Sequence, residues 1–249
     1  MWNTIAMNLV LDIGNTNVKA AIFQNGNLTE KKSVSLGDLG NVIDKLIFEF
    51  SVSKIIVSSV SATKEELEVL IDNRVPWLWL DNTIQLPISV EYQSLETLGV
   101  DRLAGLMGVF EEYPKKNVLV IDCGTCITYD LLTYDNRYFG GAISPGVGIR
   151  YKSLNKFTKN LPFLTPKFEP SLIGQTTEDS MHSGVIKGVT YEMNGAINAY
   201  NERFGNLVVV ITGGDSVNFA NEVKNTTFAD LNLILVGLNK ILEYHYQNA

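Results

Sequence analysis

The chain has 249 residues, of which 45% are hydrophobic and 19% are charged. This length suits one large domain or two closely associated ones, and the composition is typical of a globular protein. The formal net charge of −7 disfavours nucleic acid as a partner, because phosphate backbones need a basic surface. The sequence contains no run of about 18 apolar residues, so we expect no transmembrane helix and no membrane partner.

The first predicted element is a β-hairpin over residues 9–23. Residues 9–11 are an apolar run typical of a buried strand, and Asp12 stands where that strand ends. Gly14 permits a tight reversal because it lacks a Cβ, and Lys19 lies on the returning strand. Backbone N–H groups in such a turn can bind an anion, and a nearby carboxylate can hold a divalent cation. This chemistry suits a nucleotide with its Mg²⁺, although an ordinary Gly-containing turn explains the pattern equally well.

The remainder of the first half is predicted to alternate helices and strands. A third strand covers residues 28–36, and apolar residues follow at helical spacing over residues 37–50. Residues 54–60 form a short buried strand between two helices, which predicts a βαβ unit with parallel pairing. A helix with an N-terminal capping signature follows over residues 61–71, and a further strand over residues 77–80.

The second half repeats this order. Residues 119–128 again contain an apolar strand, an Asp, an apolar residue, a Gly and a returning strand. Asp122 therefore corresponds to Asp12, and Gly124 corresponds to Gly14. Further elements are predicted over residues 138–145, 146–157, 177–204, 207–212, 230–236 and 238–246. A pattern that occurs once in each half indicates a duplicated domain.

The repeated order resembles the actin/Hsp70/sugar-kinase superfamily of ATP-binding folds. The resemblance implies an α/β fold with duplicated ribonuclease H-like or actin-like halves, each a mixed sheet with flanking helices. We place the N-terminal half, with a connecting helix, at residues 1–114 and the C-terminal half at residues 115–249. Two hairpins facing each other across a cleft between the halves would grip one ATP molecule from both sides.

Three further segments have both a structural and a functional interpretation. Residues 213–215 (G-G-D) follow an apolar strand, where glycine either makes a tight turn or lets the backbone approach a ligand. Residues 99–102 (G-V-D-R) precede an apolar helix, so Asp101 is either an N-terminal cap or the acceptor of a substrate hydroxyl proton. Residues 140–148 are rich in glycine and lead into a helix, which suits either an anion site or the close passage of two backbones.

The cysteines and histidines carry weaker signals. Cys123 and Cys126 have C-x-x-C spacing, but no second Cys pair completes a zinc site. We therefore expect two reduced thiols and a cytoplasmic location. Thr177 is either a hydroxyl contact to a ligand or the N-cap of a helix. His182 is expected to be a core or surface residue rather than a catalytic base.

Five motifs together resemble the type III pantothenate kinase family in order and spacing. They are D-I-G-N-T-N-V-K (residues 12–19), G-V-D-R (99–102), D-C-G-T-C-I-T (122–128), G-G-A-I-S-P-G (140–146) and I-T-G-G-D (211–215). The resemblance covers nearly the whole chain from Met7 onward. It implies an ATP-dependent kinase that phosphorylates pantothenate in the first committed step toward coenzyme A. It also implies a homodimer with substrate sites at or near the interface, and a requirement for Mg²⁺ and a monovalent cation, K⁺ or NH₄⁺.

The same resemblance implies roles for individual residues. Asp101 would be the general base, Thr125 would contact ATP, and Asp122 would ligate the monovalent cation. Asp12 would organise Mg²⁺, directly or through a water. The ATP phosphate loop would consist of Asp12, Ile13, Gly14, Asn15, Thr16, Asn17, Val18 and Lys19. The pantothenate pocket would be lined by Tyr92, Gly99, Val100, Asp101, Arg102 and Thr177. Cys126 stands where the family usually has a small residue such as Ala, and its thiol could make the site sensitive to oxidants.

Two other functions fit the same residues. One is a kinase or phosphatase of the same fold that acts on a sugar, a short acid or polyphosphate; the G-V-D-R motif and Tyr92 argue against it. The other is a non-catalytic nucleotide-binding regulator, whose direct contact with DNA the acidic net charge disfavours. A substrate panel would test the first, and ATP binding without pantothenate turnover would favour the second.

Overall fold

The computed structural model describes residues 6–14, 17–71, 74–223 and 226–248. The chain forms two compact units, each with its own sheet and its own hydrophobic core. The first unit contains residues up to 87, residues 93–112 and residues from 233 onward, and the second contains residues 88–92 and 113–232. Among the helices in the described ranges, none combines the length and the apolar character needed to cross a bilayer.

The first unit is built on a five-stranded sheet with strand order β3-β2-β1-β4-β5. Its strands are β1 (Met7–Ile13), β2 (Val18–Gln24), β3 (Asn27–Val34), β4 (Val52–Ser59) and β5 (Trp77–Trp79). Strands β1, β2 and β3 pair antiparallel, whereas β4 pairs parallel with both β1 and β5. The parallel pairing of β4 confirms the βαβ unit predicted from the sequence.

Two helices follow the strands in sequence: α1 (Leu39–Phe50) lies between β3 and β4, and α2 (Lys64–Ile71) lies between β4 and β5. The N-terminus of α2 is a capping box, in which the Thr63 N–H donates to Glu66 Oε2 at 2.9 Å. In return the Glu66 N–H donates to Thr63 Oγ1 at 3.3 Å. Thr63 is therefore the cap of this helix, which begins at Lys64 rather than at the predicted residue 61.

Helices α3 (Val100–Phe110) and α7 (Leu233–Asn248) pack against each other within the first unit. A Cβ added to Gly237 would overlap the Ala104 carbonyl oxygen, and one added to Gly108 would lie 2.8 Å from the Leu233 carbonyl oxygen. The two backbones approach this closely because glycine stands at both positions. Helix α7 begins at Leu233, so the separation of residues 230–236 from a final helix at 238 was wrong.

The second unit is built on a six-stranded sheet with strand order β11-β10-β7-β8-β9-β6. Its strands are β6 (Ser89–Val90), β7 (Asn117–Cys123), β8 (Cys126–Leu132), β9 (Arg137–Pro145), β10 (Leu207–Thr212) and β11 (Thr226–Ala229). Its helices are α4 (Val147–Phe157), α5 (Thr177–Phe204) and the short α6 (Ser216–Phe219). Val189 and Met193 of α5 are fully buried in the core that covers β7 and β10.

The two sheets have the same internal order. Read from its opposite edge, the order β9-β8-β7-β10-β11 repeats β3-β2-β1-β4-β5. The pairings also match, because β7-β8-β9 is antiparallel and β10 is parallel to both β7 and β11. This repetition confirms the predicted α/β fold of two duplicated halves, each a mixed sheet with flanking helices. Strand β6 is an addition at one edge of the second sheet.

Candidate active site

The first hairpin places Asp12 and Lys19 opposite each other on β1 and β2. Lys19 Nζ lies 3.8 Å from Asp12 Oδ2, and the side chains are 47% and 19% exposed, respectively. Burial is the largest influence on the Asp12 carboxyl and raises its pKa; the Lys19 charge opposes this shift and the Asp101 charge adds to it. The structure therefore holds a poorly solvated carboxylate at the tip of the hairpin, where a bound cation would stabilise it.

The turn of this hairpin is held by hydrogen bonds to the backbone of Gly14. The Gly14 N–H donates to the Asn17 carbonyl oxygen at 3.1 Å, and Ser61 Oγ donates to the Gly14 carbonyl oxygen at 2.9 Å. Ile13 and Val18 are buried in the core, so they can offer a ligand only their backbone atoms. The predicted loop residues Asn15 and Thr16 lie outside the described residues.

The G-V-D-R motif forms the start of α3. Gly99 occupies the N-cap position, and Asp101 lies in the first turn, where its Oδ1 accepts a hydrogen bond from the Arg102 N–H at 2.9 Å. A Cβ on Gly99 would overlap this carboxylate oxygen, so a larger residue there would displace the Asp101 side chain. The same Arg102 N–H also donates to the Gly99 carbonyl oxygen at 3.1 Å, and Gly99 is the N-cap, so the interpretation of Asp101 as the cap was wrong. The Asp101 charge also acts on Asp12. Arg102 is buried.

The second hairpin is formed by β7 and β8, with Asp122 opposite Thr128. The Gly124 N–H donates to the Cys126 carbonyl oxygen at 3.0 Å, which parallels the Gly14 bond of the first hairpin. The Gly146 N–H donates to the Thr125 carbonyl oxygen at 3.1 Å, and a Cβ on Gly146 would overlap that oxygen. The glycine before α4 therefore serves the close passage of two backbones. The Thr125 side chain is exposed.

The G-G-D turn brings β10 against the same hairpin. Gly213 has φ +90°, and a Cβ there would overlap Asp122 Oδ1. The Asp215 N–H donates to the Cys123 carbonyl oxygen at 3.1 Å. Burial raises the pKa of the Cys123 thiol, and the charges of Asp122 and Asp215 raise it further. Two carboxylates therefore converge on this edge of the second sheet.

Both cysteines are free thiols, as predicted, with Cys123 buried and Cys126 exposed. Burial raises the pKa of Asp215 as well. In the part of the chain that the structure describes, no group of three or more His, Cys, Asp or Glu residues is placed to hold a metal ion. A metal at either hairpin would therefore rely on backbone, water or ligand oxygens for the rest of its coordination.

Tyr92 follows β6, which pairs parallel with β9. Its ring stacks on the ring of Tyr138, with centroids 6.3 Å apart and planes inclined by 5°. Gly140, at φ +114°, lies against the Tyr92 ring, near Cδ2 and Cε2. The sequence did not indicate β6, because a strand of two residues has no periodicity to detect.

Thr177 is the first residue of α5, and the cap of this helix is the preceding residue. Thr176 Oγ1 accepts a hydrogen bond from the Asp179 N–H at 3.1 Å. The interpretation of Thr177 as an N-cap was therefore wrong. Thr177 is exposed and lines a pocket of about 900 Å³ together with Arg150, Ser180 and other residues of α4 and α5.

His182 is buried and hydrogen bonds through Nδ1 with the Tyr151 hydroxyl at 2.7 Å, which fits the predicted core role.

One charged cluster near the glycine-rich segment was missed by the sequence analysis. Arg150 of α4 donates to the Pro145 carbonyl oxygen at 2.8 Å, to Ser144 Oγ at 3.0 Å and to Glu192 Oε2. Tyr129 donates to Glu192 Oε1 at 2.9 Å. Although burial acts to raise it, these hydrogen bonds hold the pKa of Glu192 below its usual range. In the sequence, this cluster could have been suspected from Glu192, because a charged residue there stands next to Met193, which is buried on the inner face of α5.

The sequence was compared with family models and with known proteins, and both comparisons match most of the chain. The sequence model of the family described as type III pantothenate kinase matches residues 8–199. A protein of Christiangramia forsetii named type III pantothenate kinase is 47% identical over 240 residues, which cover 96% of this chain and 99% of that protein.

Solved structures show the same fold at low sequence identity. A Campylobacter jejuni protein assigned to the Baf family of transcriptional activators has a TM-score of 0.66 and 24% identity, with 97% of this chain and 100% of that chain covered. A ROK family glucokinase from Streptomyces griseus, in complex with glucose and AMPPNP, has a TM-score of 0.56 and 11% identity, with 97% and 100% covered. These similarities concern the fold alone, and they agree with the predicted α/β fold.

Proposed function

Because the chain belongs to the type III pantothenate kinase family, we propose that it transfers the γ-phosphoryl group of ATP to the primary hydroxyl of pantothenate. The product would be 4′-phosphopantothenate, in the first step of coenzyme A biosynthesis. The observation that carries the proposal is that Asp101, at the start of α3, and Asp12, at the tip of the first hairpin, lie in one compact unit, where the Asp101 charge adds to the rise in the Asp12 pKa. A base for the acceptor hydroxyl and a carboxylate for the metal of a nucleotide are the two acidic groups that this reaction needs.

Asp101 is the proposed general base. It accepts the hydroxyl proton of pantothenate while the hydroxyl oxygen bonds to the γ-phosphorus and the bond from that phosphorus to the bridging oxygen of ADP breaks. Its carboxylate is held by the Arg102 N–H at 2.9 Å, so the group is oriented before substrate binds. Positioning of this kind supplies most of the catalysis in phosphoryl transfer.

The hairpin over residues 12–19 is the proposed phosphate loop for ATP. The half-exposed Lys19 ammonium offers positive charge to the phosphates. Asp12 fits a Mg²⁺ role because burial leaves its carboxylate in need of a counter-charge. Mg²⁺ is commonly bound by one or two carboxylates plus phosphate and water oxygens, so one side chain suffices. When bound, the ion would neutralise phosphate charge.

The second hairpin is the proposed site of the monovalent cation, K⁺ or NH₄⁺. Asp122 would ligate it, and Thr125 would contact ATP through its exposed hydroxyl. The fit is supported by the crowding of Asp122 against Gly213 and by the nearby Asp215, since these place carboxylate and backbone oxygens together. The cation would add positive charge at this edge of the sheet.

The pantothenate contacts are proposed on residues from three elements. Gly99, Val100 and Arg102 belong to the start of α3, and the buried Arg102 guanidinium suits a carboxylate of the substrate. Tyr92 offers an aromatic face, and Thr177 offers a hydroxyl in the lining of the pocket at α5.

We further propose that the protein is a homodimer in the cytoplasm. The second unit exposes several large apolar side chains, which an interface would cover. They are Phe139 and Ile143 on β9, and Phe157, Phe163, Leu172 and Ile173 on and after α4. Sedimentation equilibrium tests the assembly, and a monomer at micromolar concentration would contradict it. The cytoplasmic location is supported by the two free thiols, which suit a reducing compartment.

A coupled assay for ADP formation tests the reaction itself. We expect turnover that depends on pantothenate, and a loss of about 10²–10⁴-fold in kcat for Asp101→Asn. Glu96→Gln removes an exposed carboxylate from the segment just before α3 and is the matched control, with near wild-type turnover expected. Wild-type rates in Asp101→Asn would exclude Asp101 as the base. Turnover with sugars but not with pantothenate would exclude the proposed acceptor.

A further inference from the structure

We propose that Asp130, Tyr138 and Gly140 are positioning residues that fix the Tyr92 ring for the acceptor substrate. The inference rests on the proposed function, in which Tyr92 contacts pantothenate. Tyr138 and Gly140 contact Tyr92, and Asp130 contacts Tyr138, but the proposed function gives none of the three a role. They lie with Tyr92 in the second unit, on β8 and β9, and together they determine where the ring can stand.

The first element of this arrangement is an irregularity in β9. Leu132 pairs with Tyr138 but Asp130 pairs with Gly141, so β9 contains one residue more than β8 over the same stretch. This is a β-bulge at residues 139–140, and Gly140 accommodates it with φ +114°. Bulges bend a strand and re-aim its side chains, and they are frequent beside active sites.

The second element is a buried hydrogen bond. The Tyr138 hydroxyl donates to Asp130 Oδ1 at 2.7 Å, and both side chains are buried. A bond from a phenol to a carboxylate is stronger than one between neutral groups, especially away from water. It fixes the Tyr138 ring, and the Tyr92 ring stacks parallel to that fixed ring with centroids 6.3 Å apart.

The third element holds the chain beside Tyr92. The Glu91 N–H donates to the Tyr138 carbonyl oxygen at 2.8 Å. The Glu91 carboxylate is bound by the Arg137 guanidinium through two hydrogen bonds of 2.6 Å. The residue before Tyr92 is thus tied to β9 by both its backbone and its side chain, which limits where the Tyr92 Cα can lie.

Gly140 is the other residue against which the Tyr92 ring packs. A Cβ at this position would lie 3.0 Å from Tyr92 Cδ2 and Cε2, closer than carbon atoms normally approach. The ring therefore rests directly over the glycine backbone. Contact with Tyr138 and Gly140 restricts the orientation of the ring, so binding of a ligand costs less entropy than it would with a mobile ring.

Removing this support should weaken pantothenate binding without changing the chemistry. Tyr138→Phe keeps the stacked ring but removes the bond to Asp130, and we expect KM for pantothenate to rise roughly five- to tenfold. The kcat and the KM for ATP should stay within about twofold of wild type, since the proposed base and phosphate loop are untouched. Gly140→Ala adds a methyl group against the Tyr92 ring and should change KM in the same direction, while the hydrogen bond from Tyr138 to Asp130 stays in place.

Tyr151→Phe is the matched control. It removes an equally buried phenol hydroxyl, which hydrogen bonds with His182 at 2.7 Å in the same unit. We expect a comparable fall in Tm but an unchanged KM for pantothenate. An equal rise in KM for this control would show that general destabilisation is the cause, and would overturn the inference.

Tyr92→Ala separates the inference from the function on which it rests. If Tyr92→Ala raises KM for pantothenate while Tyr138→Phe and Gly140→Ala leave it at the wild-type value, Tyr92 is a contact but the positioning role is wrong. If wild-type protein shows no pantothenate-dependent turnover, the proposed function itself is refuted, and the inference falls with it.

Discussion

The carboxyl groups of Asp12 and Asp101 lie close enough within one compact unit for their charges to repel. Burial is the main reason that the pKa of Asp12 is raised, and the Asp101 charge raises it further. The half-exposed Lys19 ammonium, 3.8 Å from Asp12, offsets only part of this effect. The protein therefore holds two like charges together at a cost in stability, which a bound cation would offset. Such a compromise is typical of functional sites.

Asp12→Asn should stabilise the unliganded protein while abolishing turnover. Folding raises the pKa of the Asp12 carboxyl, so this group stabilises the folded state fully at pH values below the carboxyl pKa of the unfolded chain. The stabilisation is lost as the pH rises through the folded-state pKa. The variant avoids this loss, so we expect its Tm at pH 7 to be about 2–4 °C higher. The advantage should shrink as the pH falls toward about 4.

Thermal unfolding followed by circular dichroism at several pH values checks this prediction. Glu68→Gln, which neutralises an exposed carboxylate on α2, is the control and should leave Tm nearly unchanged. A lower Tm for Asp12→Asn at neutral pH would show that the carboxylate is stabilised in the free protein, against the electrostatic argument.

Asp122→Asn should impair the response to the monovalent cation. The carboxylate oxygen of Asp122 is packed against Gly213, so the amide keeps its size and place while the charge is lost. We expect the K⁺ concentration for half-maximal activity to rise about tenfold or more. Titration of KCl at constant ionic strength, with N-methylglucamine as the replacement cation, measures the effect. Glu202→Gln on α5 is the charge-matched control, and an unchanged K⁺ response in Asp122→Asn would remove it from the cation site.

Alanine substitutions at Thr176 and Thr177 should distinguish helix capping from substrate contact. Thr176 Oγ1 accepts the Asp179 N–H, so Thr176→Ala is expected to lower the free energy of unfolding by about 1 kcal/mol. Thr177→Ala removes an exposed hydroxyl that makes no cap, so its stability should stay within about 0.5 kcal/mol of wild type while KM for pantothenate rises. Urea denaturation and steady-state kinetics on both variants decide the matter. A destabilised Thr177→Ala with unchanged KM would reverse the two assignments.

Gly237→Ala should be strongly destabilising because its methyl group would collide with the Ala104 carbonyl on the neighbouring helix. The backbones of α3 and α7 would have to separate, and we expect a loss of about 1–3 kcal/mol. Gly195→Ala on α5 is the control, since nothing lies within 4 Å of the added Cβ. There the substitution should stabilise the protein by up to about 1 kcal/mol through helix propensity. Equal stabilities for the two variants would contradict the close packing of these helices.

Local chemistry explains why so much of this architecture is predictable. A run of apolar residues followed by Asp and Gly encodes a strand and its reversal within a few positions, and this occurs at both Asp12 and Asp122. The order of strands and helices follows from periodicity, so the duplicated fold and the parallel pairing of β4 could be predicted. The elements that were missed or misplaced are short or lie at ends, such as β6 and the start of α7.

The contacts around Tyr92, in contrast, could not be predicted from the sequence. Glu91 and Arg137 are 46 positions apart, and no local pattern links them. Asp130 is the single charged residue of an otherwise mostly apolar strand. The residues next to it in the sequence do not predict its hydrogen bond with the Tyr138 hydroxyl. The same holds for Gly237, whose need for glycine arises only from the Ala104 backbone on another helix.

The sequence by itself determined the two acidic hairpins, the alternation of strands and helices around them, and the family, because each depends on residues adjacent along the chain. Only the tertiary structure decided that α7 packs on α3, that Asp101 acts on Asp12, and that Tyr92 rests on Tyr138 and Gly140. The physical reason is that contacts between distant segments depend on which surfaces bury each other, and burial is a property of the folded chain as a whole.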